Sequence, residues 1–205
     1  MERSSQSTCI FGTRAIIETI LAGKTVDKVF VDKAARSTLH RELRTLILQR
    51  GIPYNYVPAV KLNRLTSKNH QGAVAYLAPI AFASLSHIVQ ASYEQRKVPL
   101  IVLLDGITDV RNFGAIVRTA ACANADAVVI PSRGSASVSG AAMKTSAGAL
   151  AHLPICRVAN LSVAIDELKM SGLQIVACHE QAPHSLYHTN LNLPTAILLL
   201  SLIHI

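Results

Sequence analysis

Tryptophan is absent from this sequence, and aromatic residues make up only 4% of its 205 positions. Charged residues are also scarce, at 16%, whereas hydrophobic residues account for 50%. A chain with so many apolar and so few charged side chains is not expected to be intrinsically disordered. The length and composition instead suit one or two globular domains with a substantial core.

Cysteine is also rare, with four in the chain and no Cys-x-x-Cys pair among them. Disulfide frameworks and structural zinc sites need closely spaced cysteines, or cysteines with histidines at ligand spacing, so neither is indicated. His179, His184 and His188 lie close together, but Pro183 interrupts a helical spacing and no third ligand of clear geometry stands nearby. We therefore predict reduced thiols, loop histidines and no metal.

Long apolar runs and common nucleotide-binding motifs are missing as well. No apolar segment approaches the roughly 18 residues that cross a bilayer, and the first residues, MERSSQSTC, lack the apolar core of a signal peptide. No G-x-G-x-x-G or G-x-x-x-x-G-K-[ST] motif follows a predicted strand, which argues against other nucleotide-binding α/β enzymes. We expect a cytoplasmic protein with no membrane partner.

The formal net charge is +8, and it is unevenly distributed. Residues 1–80 contain twelve Lys and Arg against five Asp and Glu, whereas residues 98–205 contain six of each kind. Clustered cations gain affinity for phosphates through counterion release, so the first part of the chain is expected to bind nucleic acid. The alternative is a solvated basic surface without a partner.

Hydrophobic periodicity predicts a small α/β domain over residues 1–80, because helical and strand patterns alternate there. The predicted elements are a helix at 11–21, a strand at 26–31, a helix from Ser37 or Thr38 to Gln49, a strand at 54–57, a short helix at 60–65 and a strand at 73–77. Residues 84–97 are polar with one apolar face, which predicts a linker with helical tendency over residues 81–98.

Residues 99–205 alternate strands with helices at a spacing that predicts a mostly parallel sheet. The predicted strands lie at 100–104, 127–130, 155–158, 173–178 and 196–200, with helices from Asn112, near 141–150 and at 162–170. The whole chain is therefore predicted to be of the α/β class, with its basic surplus in the first domain.

The stretch from Pro99 to Thr119 is the strongest candidate for a functional site. An apolar strand stops at Asp105-Gly106, and a helical pattern that contains Asn112 and Arg118 follows. Ligands of open α/β sheets bind beyond the carboxyl ends of strands, where loop N–H groups and helix N-termini point outward. Asn112 offers donors and an acceptor, Arg118 a fixed cationic fork, and the glycine between them close backbone approach. Alternatively, Asn112 only caps the helix and Arg118 only lies on its surface.

Two motifs in this half resemble one enzyme family. The segment N-F-G-A-I-V-R-T-A begins at Asn112, and K-T-S-A-G-A begins at Lys144. In this order they resemble the SpoU (TrmH/RlmB-like) RNA 2′-O-ribose methyltransferases of the SPOUT class. In the first half, F-G-x-R-A-I at 11–16 and N-H-Q-G-A at 69–73 resemble that family's substrate-binding domain, which has a ribosomal-protein-like fold. The resemblance covers nearly the whole chain.

The resemblance implies a fold and a function. The fold would be a small ribosomal-protein-like α/β domain at 1–80, followed by a SPOUT-like domain with a mostly parallel sheet at 99–205 that acts as a homodimer. The reaction would be S-adenosyl-L-methionine-dependent methylation of a ribose 2′-hydroxyl, with a guanosine of large-subunit ribosomal RNA as target. The residues that match catalytic positions are Asn112 and Arg118. Residues expected to contact RNA or support the site are Arg14, His70, Gln71, Lys144 and Ser146.

The resemblance ends at Leu200. In the family, the strand equivalent to 196–200 is followed by a Gly-Ser/Ala-Glu segment and later by a Leu-Asn-Val-Ser-x-Ala segment, which build the trefoil knot and hold the cofactor. This sequence reads L-S-L-I-H-I over residues 200–205. We therefore expect an incomplete methyltransferase domain that lacks its C-terminal knot and has no assignable cofactor-binding residue. The alternative function is a non-catalytic RNA-binding protein that uses the basic first domain alone.

Overall fold

The computed structural model describes residues 9–201 and separates into two compact units. Unit 1 contains the described residues up to 81 together with 137–141, and unit 2 contains 82–136 and the described residues from 142 onward. Within residues 9–201, no helix combines the length and the apolar character that crossing a bilayer requires. The predictions that concern residues 202–205 lie outside the described part of the chain.

Unit 1 is a four-stranded sheet with helices on both faces. Its strands are β1 (Cys9–Phe11), β2 (Val26–Asp32), β3 (Tyr54–Val57) and β4 (Ala73–Leu77), in the spatial order β1-β4-β2-β3. Its helices are α1 (Thr13–Leu21), α2 (Thr38–Gln49) and α3 (Ala59–Leu65). Strands β2 and β3 run parallel, and β4 runs antiparallel to both β1 and β2.

Alternation along the strands of unit 1 divides its apolar side chains between two faces. On one face, Val29 and Ala75 pack with Ile16, Leu43 and Ile47 of α1 and α2, and each of these residues is at most 1% exposed. The opposite face is covered by α3. Burial of each large apolar side chain contributes about 1.5–3 kcal/mol, so the apolar stripes of the helices fix them on the sheet.

The first helix begins two residues later than the sequence predicts. Phe11 belongs to β1, which pairs with β4, and α1 starts at Thr13. Gly12 separates the two elements with φ of +93°, a backbone conformation that favours glycine. A strand of three residues gives no detectable alternation, so the helical period extended over Phe11.

Unit 2 contains a five-stranded parallel sheet, as the sequence predicts. The strands are β5 (Leu100–Asp105), β6 (Ala127–Pro131), β7 (Ile155–Val158), β8 (Gln174–Cys178) and β9 (Thr195–Leu200), in the order β7-β6-β5-β9-β8. The helices of this half of the chain are α4 (Leu85–Glu94), α5 (Val110–Cys122), α6 (Gly140–Thr145) and α7 (Leu161–Met170). Because β5 is the central strand, the loop that follows it opens at the middle of the sheet's carboxyl edge.

Residues 81–98 are predicted as a linker, but within them helix α4 packs into the core of unit 2. Helix α4 buries Leu85 and Val89 in the apolar cluster on one face of the sheet. The hydroxyl of Tyr93 donates a hydrogen bond of 2.8 Å to the backbone oxygen of Ser171, just beyond α7. The predicted helical tendency is present, but an amphipathic helix packs its apolar stripe against a sheet instead of remaining in solvent.

Candidate active site

The helix that carries Asn112 and Arg118 begins at Val110, shortly after the carboxyl end of β5. Its N-cap is Asp109, whose Oδ1 accepts hydrogen bonds from the backbone N–H groups of Arg111 (2.8 Å) and Asn112 (2.9 Å). The alternative in which Asn112 caps the helix is therefore wrong, because the Asp109 carboxylate already satisfies these first-turn groups. The amide of Asn112 is left for another partner.

Asn112 and Arg118 both lie on the exposed surface of α5. Within residues 9–201, neither side chain forms a hydrogen bond or an ion pair with another residue. They are six positions apart, which corresponds to about 9 Å along a helix axis. Two exposed polar groups at this separation can contact different parts of one extended polar ligand.

Gly114 brings α5 into contact with the second sequence motif. A methyl group built on Gly114 would lie 2.7 Å from Cβ and 2.9 Å from the carbonyl carbon of Thr145. The Thr145 hydroxyl lies 3.3 Å from the backbone oxygen of Val110 and 3.2 Å from that of Ala142, to which it donates. The close approach predicted at this glycine is therefore to Thr145 and not to a ligand. This contact joins the two motifs that predicted the site.

Ser146 supports the turn that follows α6. Its side chain is fully buried, and its Oγ donates to the backbone oxygen of Met143 (3.0 Å) and accepts from the backbone N–H of Leu150 (3.3 Å). A hydroxyl in this position presents no atom to RNA, so the structure fits support of the site and not RNA contact. Lys144, two residues earlier, is exposed and can reach a ligand.

A cleft of about 410 Å³ opens at the carboxyl edge of the unit 2 sheet. Its lining residues are Asp105, Gly106, Thr108, Arg133, Gly134, His179, Leu200 and Ser201. They follow or end strands β5, β6, β8 and β9, and the backbone N–H of Ser201 donates to the backbone oxygen of Asp105 (3.0 Å). A carboxylate, two hydroxyls and a guanidinium therefore meet where ligands of parallel sheets bind.

In unit 1, the H-Q-G loop lies beside the start of α1. His70 Nδ1 accepts a hydrogen bond from the backbone N–H of Gly72 (3.0 Å), and its Nε2 lies 2.8 Å from Oδ1 of Asn63. Because Nδ1 accepts the Gly72 N–H, the proton of the His70 ring must be on Nε2, and this determines the tautomer. The Thr13 hydroxyl donates to the backbone oxygen of Gln71 (3.1 Å), while the Gln71 side chain is exposed. The structure thus brings His70 and Gln71 together with α1.

Arg14, the remaining predicted RNA-contact residue, lies in the first turn of α1. Its Nε is 4.0 Å from Oε1 of Glu18, and the two side chains are 65% and 71% exposed. An exposed pair of this kind contributes little to stability and is readily exchanged for another partner. Arg14 therefore remains available to a polyanion.

No group of three His, Cys, Asp or Glu side chains in residues 9–201 could hold a metal ion. His188 ends a single 3₁₀ turn, Leu186–His188, and His184 precedes this turn. The four cysteines are free, and burial raises the pKa of the Cys156 thiol to about 11. Cys156 is therefore a protonated core side chain at neutral pH, whereas Cys122 is exposed.

The sequence models of two families match the two halves of this chain. The SpoU rRNA Methylase family matches residues 99–200, and the family described as RNA 2′-O ribose methyltransferase substrate binding matches residues 9–83. YacO of Bacillus subtilis (strain 168), a protein named as a TrmH family tRNA/rRNA methyltransferase, is 30% identical over 196 residues, which are 96% of this chain and 79% of that protein. The chain belongs to the SpoU/TrmH methyltransferase family. A similarly named relative in Staphylococcus saprophyticus is 32% identical over 190 residues, 93% of this chain and 76% of its own.

Two solved methyltransferase structures share the fold of this SpoU/TrmH chain. AviRb from Streptomyces viridochromogenes, a SpoU methyltransferase in complex with the cofactor AdoMet, matches with a TM-score of 0.51 and 22% identity over 95% of this chain and 74% of its own. The AdoMet-bound rRNA methyltransferase from Sinorhizobium meliloti matches with a TM-score of 0.50 and 19% identity, and the match covers 93% of this chain and 69% of that protein's chain. These matches confirm the predicted fold class.

The stretch predicted as the site of this SpoU/TrmH chain supplies Asp105, Gly106 and Thr108 to the carboxyl-edge cleft, whereas the cleft residues after β6, β8 and β9 are not predicted, although a signal for two of these segments exists. The rule that identifies Asn112, a polar segment directly after a buried strand, applies equally to Arg133 after β6 and to Ser201 after β9. What the sequence does not show is the strand order, which places β6 and β9 on either side of β5. Only that order makes the three segments neighbours.

Gly72 of the H-Q-G loop allows a test of the unit 1 structure. It has φ of +81°, and a methyl group on it would lie 2.6 Å from Nε2 of His40. We expect Gly72→Ala to lower the free energy of unfolding by about 2–3 kcal/mol, through backbone strain and displacement of the ring. Gly23→Ala is the matched control, because Gly23 has φ of +75° but no atom within 4 Å of the added methyl group. It should lower the free energy of unfolding by only about 1 kcal/mol. Equal losses in urea unfolding would contradict the contact with His40.

Proposed function

We propose that this SpoU/TrmH protein catalyses S-adenosyl-L-methionine-dependent methylation of a ribose 2′-hydroxyl in RNA, with a guanosine of large-subunit ribosomal RNA as its target. The observation that supports this function is the pair of exposed polar side chains on α5, Asn112 and Arg118, which have no partner within the described residues. Both belong to the first family motif, and Gly114 holds that helix against the second motif. We assign Asn112 and Arg118 as the catalytic residues.

The cleft at the carboxyl edge of the unit 2 sheet fits the polar parts of S-adenosyl-L-methionine. When bound, the cofactor supplies a methyl group on a positively charged sulfur. Asp105 can accept hydrogen bonds from hydroxyl or amino groups, and Arg133 can pair with a carboxylate. Gly106, with φ of +67°, lets the loop backbone approach a ligand closely. We assign these three residues to the cofactor, for which sequence analysis names none.

We propose that Arg118 acts as a cation and not as a base. A guanidinium keeps its proton in proteins, so it is a poor proton acceptor. It can fix the phosphate beside the target ribose and stabilise the negative charge that develops on the 2′-oxygen as its proton leaves to water. Transfer of the methyl group that the cofactor would supply requires the 2′-oxygen to be held in line with it, and this alignment is the task of the residues that hold the RNA. Asn112 orients the ribose through its amide group.

We further propose that residues 1–80 bind the RNA and residues 99–205 carry out methyl transfer, with 81–98 joining the two functions. The twelve Lys and Arg of residues 1–80, against five Asp and Glu, support the first assignment. Within this part, the RNA contacts are assigned to Arg14, His70 and Gln71, and Lys144 contributes one from unit 2. We place the reaction in the cytoplasm, where ribosomal RNA is found.

We also propose that the protein acts as a homodimer. Unit 2 has an apolar groove of about 790 Å³, to which strands β5 and β9 and helix α5 contribute. Val102, Ile116 and Ile197 are among its lining residues. Contiguous apolar surface of this kind marks a protein–protein contact, and a second copy of the chain is the partner that this proposal assigns to it.

Methyl transfer to an unmodified transcript of large-subunit ribosomal RNA tests the proposed reaction. The protein is incubated with the transcript and S-adenosyl-L-methionine that carries a tritiated methyl group, and the RNA is digested to nucleosides. We expect label in 2′-O-methylguanosine. A folded protein that binds the transcript without transferring label would favour the non-catalytic RNA-binding alternative, and label in another ribose-methylated nucleoside would contradict guanosine as the target.

A further inference from the structure

Unit 1 contains a concavity, the α2 pocket, to which none of the roles proposed above is assigned. It has a volume of about 630 Å³ and lies where the parallel strands β2 and β3 end and α2 begins. Its lining residues are Val31, Lys33, Ala35, Arg36, His40, Arg41, Arg44 and Tyr56. None of them belongs to the F-G-x-R-A-I or H-Q-G segments.

Four of the residues that line the α2 pocket are cations, and none is a carboxylate. Lys33, Arg36, Arg41 and Arg44 are all exposed, and within residues 9–201 none of them pairs with Asp or Glu. The Arg36 guanidinium is held by the loop between β2 and α2, because its Nη1 donates to the backbone oxygens of Lys33 (2.8 Å) and Ala35 (3.2 Å). Cations without neutralising partners around a concave surface focus a positive potential that favours a polyanion.

The N-terminus of α2 strengthens this potential. The helix has twelve residues, no acidic residue in its first turn and no side chain that caps its backbone N–H groups. The hydroxyl of Ser37 instead lies 2.7 Å from Nδ1 of His40, and Nε2 of the same ring lies 3.2 Å from the Thr13 hydroxyl. These contacts fix His40 in the wall of the pocket. Arg41 and Arg44, three residues apart, project from one face of the helix.

Tyr56 adds a flat ring to the pocket. It is 42% exposed, and the ring of Tyr54 supports it edge-on with centroids 5.5 Å apart. An exposed ring beside cations can stack on a base while the cations hold the neighbouring phosphate. An acidic peptide would use the cations but has no general need for a stacking ring, so the combination favours RNA.

We infer that the α2 pocket binds an internucleotide phosphate of the RNA substrate and that Tyr56 stacks on an adjacent nucleotide. The inference rests on the proposed function, because it takes RNA as the substrate of this protein. Phosphate contacts carry no sequence information, so the pocket contributes affinity and orientation but not base selection.

The test compares two double variants of the full chain. Arg41→Gln/Arg44→Gln removes two cations of the pocket, and the control Lys97→Gln/Lys169→Gln removes two exposed cations of unit 2, outside the basic first part of the chain. Binding of a fluorescein-labelled fragment of large-subunit ribosomal RNA is measured by anisotropy at several salt concentrations. We expect the pocket variant to bind about tenfold more weakly and its salt slope to fall by about 0.7, for one lost phosphate contact on single-stranded RNA. The control should stay within about twofold of the wild-type protein.

A third variant, Tyr56→Leu, separates stacking from charge. It should weaken binding about fivefold without changing the salt slope, because a stacking contact releases no counterion. Melting curves of all variants verify that they fold. Equal affinity of the pocket and control variants, with wild-type protein that binds RNA, would overturn this inference alone. Wild-type protein that binds no RNA would overturn the proposed function with it.

Discussion

Replacing Arg118 with alanine should lower kcat/KM for methyl transfer by about 100-fold or more, because the transition state loses the cation that stabilises charge on the 2′-oxygen. The free energy of unfolding should change by less than about 0.5 kcal/mol, since Arg118 is exposed and has no partner within the described residues. Initial rates at limiting RNA concentration measure the effect. Lys169→Ala removes another exposed cation of unit 2 and should retain nearly full activity.

Arg118→Lys distinguishes two roles for this side chain. A role as a simple point charge is compatible with lysine, whereas simultaneous contact with a phosphate and the 2′-oxygen needs the planar fork of a guanidinium. We expect the lysine variant to resemble the alanine variant more closely than the wild-type enzyme. Near-normal turnover by Arg118→Lys would contradict any role that depends on the fork.

Gly114→Ala should lower the free energy of unfolding by about 3 kcal/mol. In an exposed helix interior the same change stabilises by about 1 kcal/mol, so helix propensity predicts the opposite sign. The added methyl would lie 2.9 Å from the backbone carbonyl carbon of Thr145, and backbone cannot rotate away as a side chain can. Chemical unfolding in urea measures the loss, and a variant as stable as the wild-type protein would contradict the contact between the two motifs.

The double variant Gly114→Ala/Thr145→Gly verifies that the loss arises at this contact. Thr145→Gly removes the threonine Cβ, which would lie 2.7 Å from the new methyl group, and the hydroxyl attached to it. The double variant should therefore be more stable than the sum of the two single losses predicts, with a coupling of about 1–2 kcal/mol. Strictly additive losses would place the destabilisation elsewhere in α5.

The central strands and the long helices could be predicted from the sequence because their signals are local. The run Leu100–Asp105 is almost continuously apolar, as expected of a strand buried on both faces of a parallel sheet. Short elements give weaker signals, and the helical pattern extends over Phe11 because the strand that contains it has only three residues. Helix α5 begins at Val110, before the predicted start at Asn112, because Asp109 and Asn112 are both good capping residues and spacing alone does not choose between them.

The contacts that make the candidate site depend on the fold and could not be predicted from the sequence. The sequence predicts close backbone approach at Gly114, but the group that approaches it is Thr145, 31 positions later in the chain, and not a ligand. For Ser146 the family resemblance allows RNA contact or support of the site, and only its complete burial distinguishes these roles. Strand order and packing determine the contact at Gly114 and the burial of Ser146, and local hydrophobic periodicity predicts neither.

Alkaline hydrolysis of RNA that the protein has labelled with a tritiated methyl group distinguishes ribose from base methylation. Alkali cleaves RNA through attack by the 2′-hydroxyl on the adjacent phosphate, so a nucleotide methylated on that oxygen stays joined to its 3′ neighbour. We predict that the wild-type protein places label in alkali-resistant dinucleotides and that Arg118→Ala does not. Label recovered in mononucleotides would show base methylation and would contradict the proposed attack by a ribose 2′-oxygen.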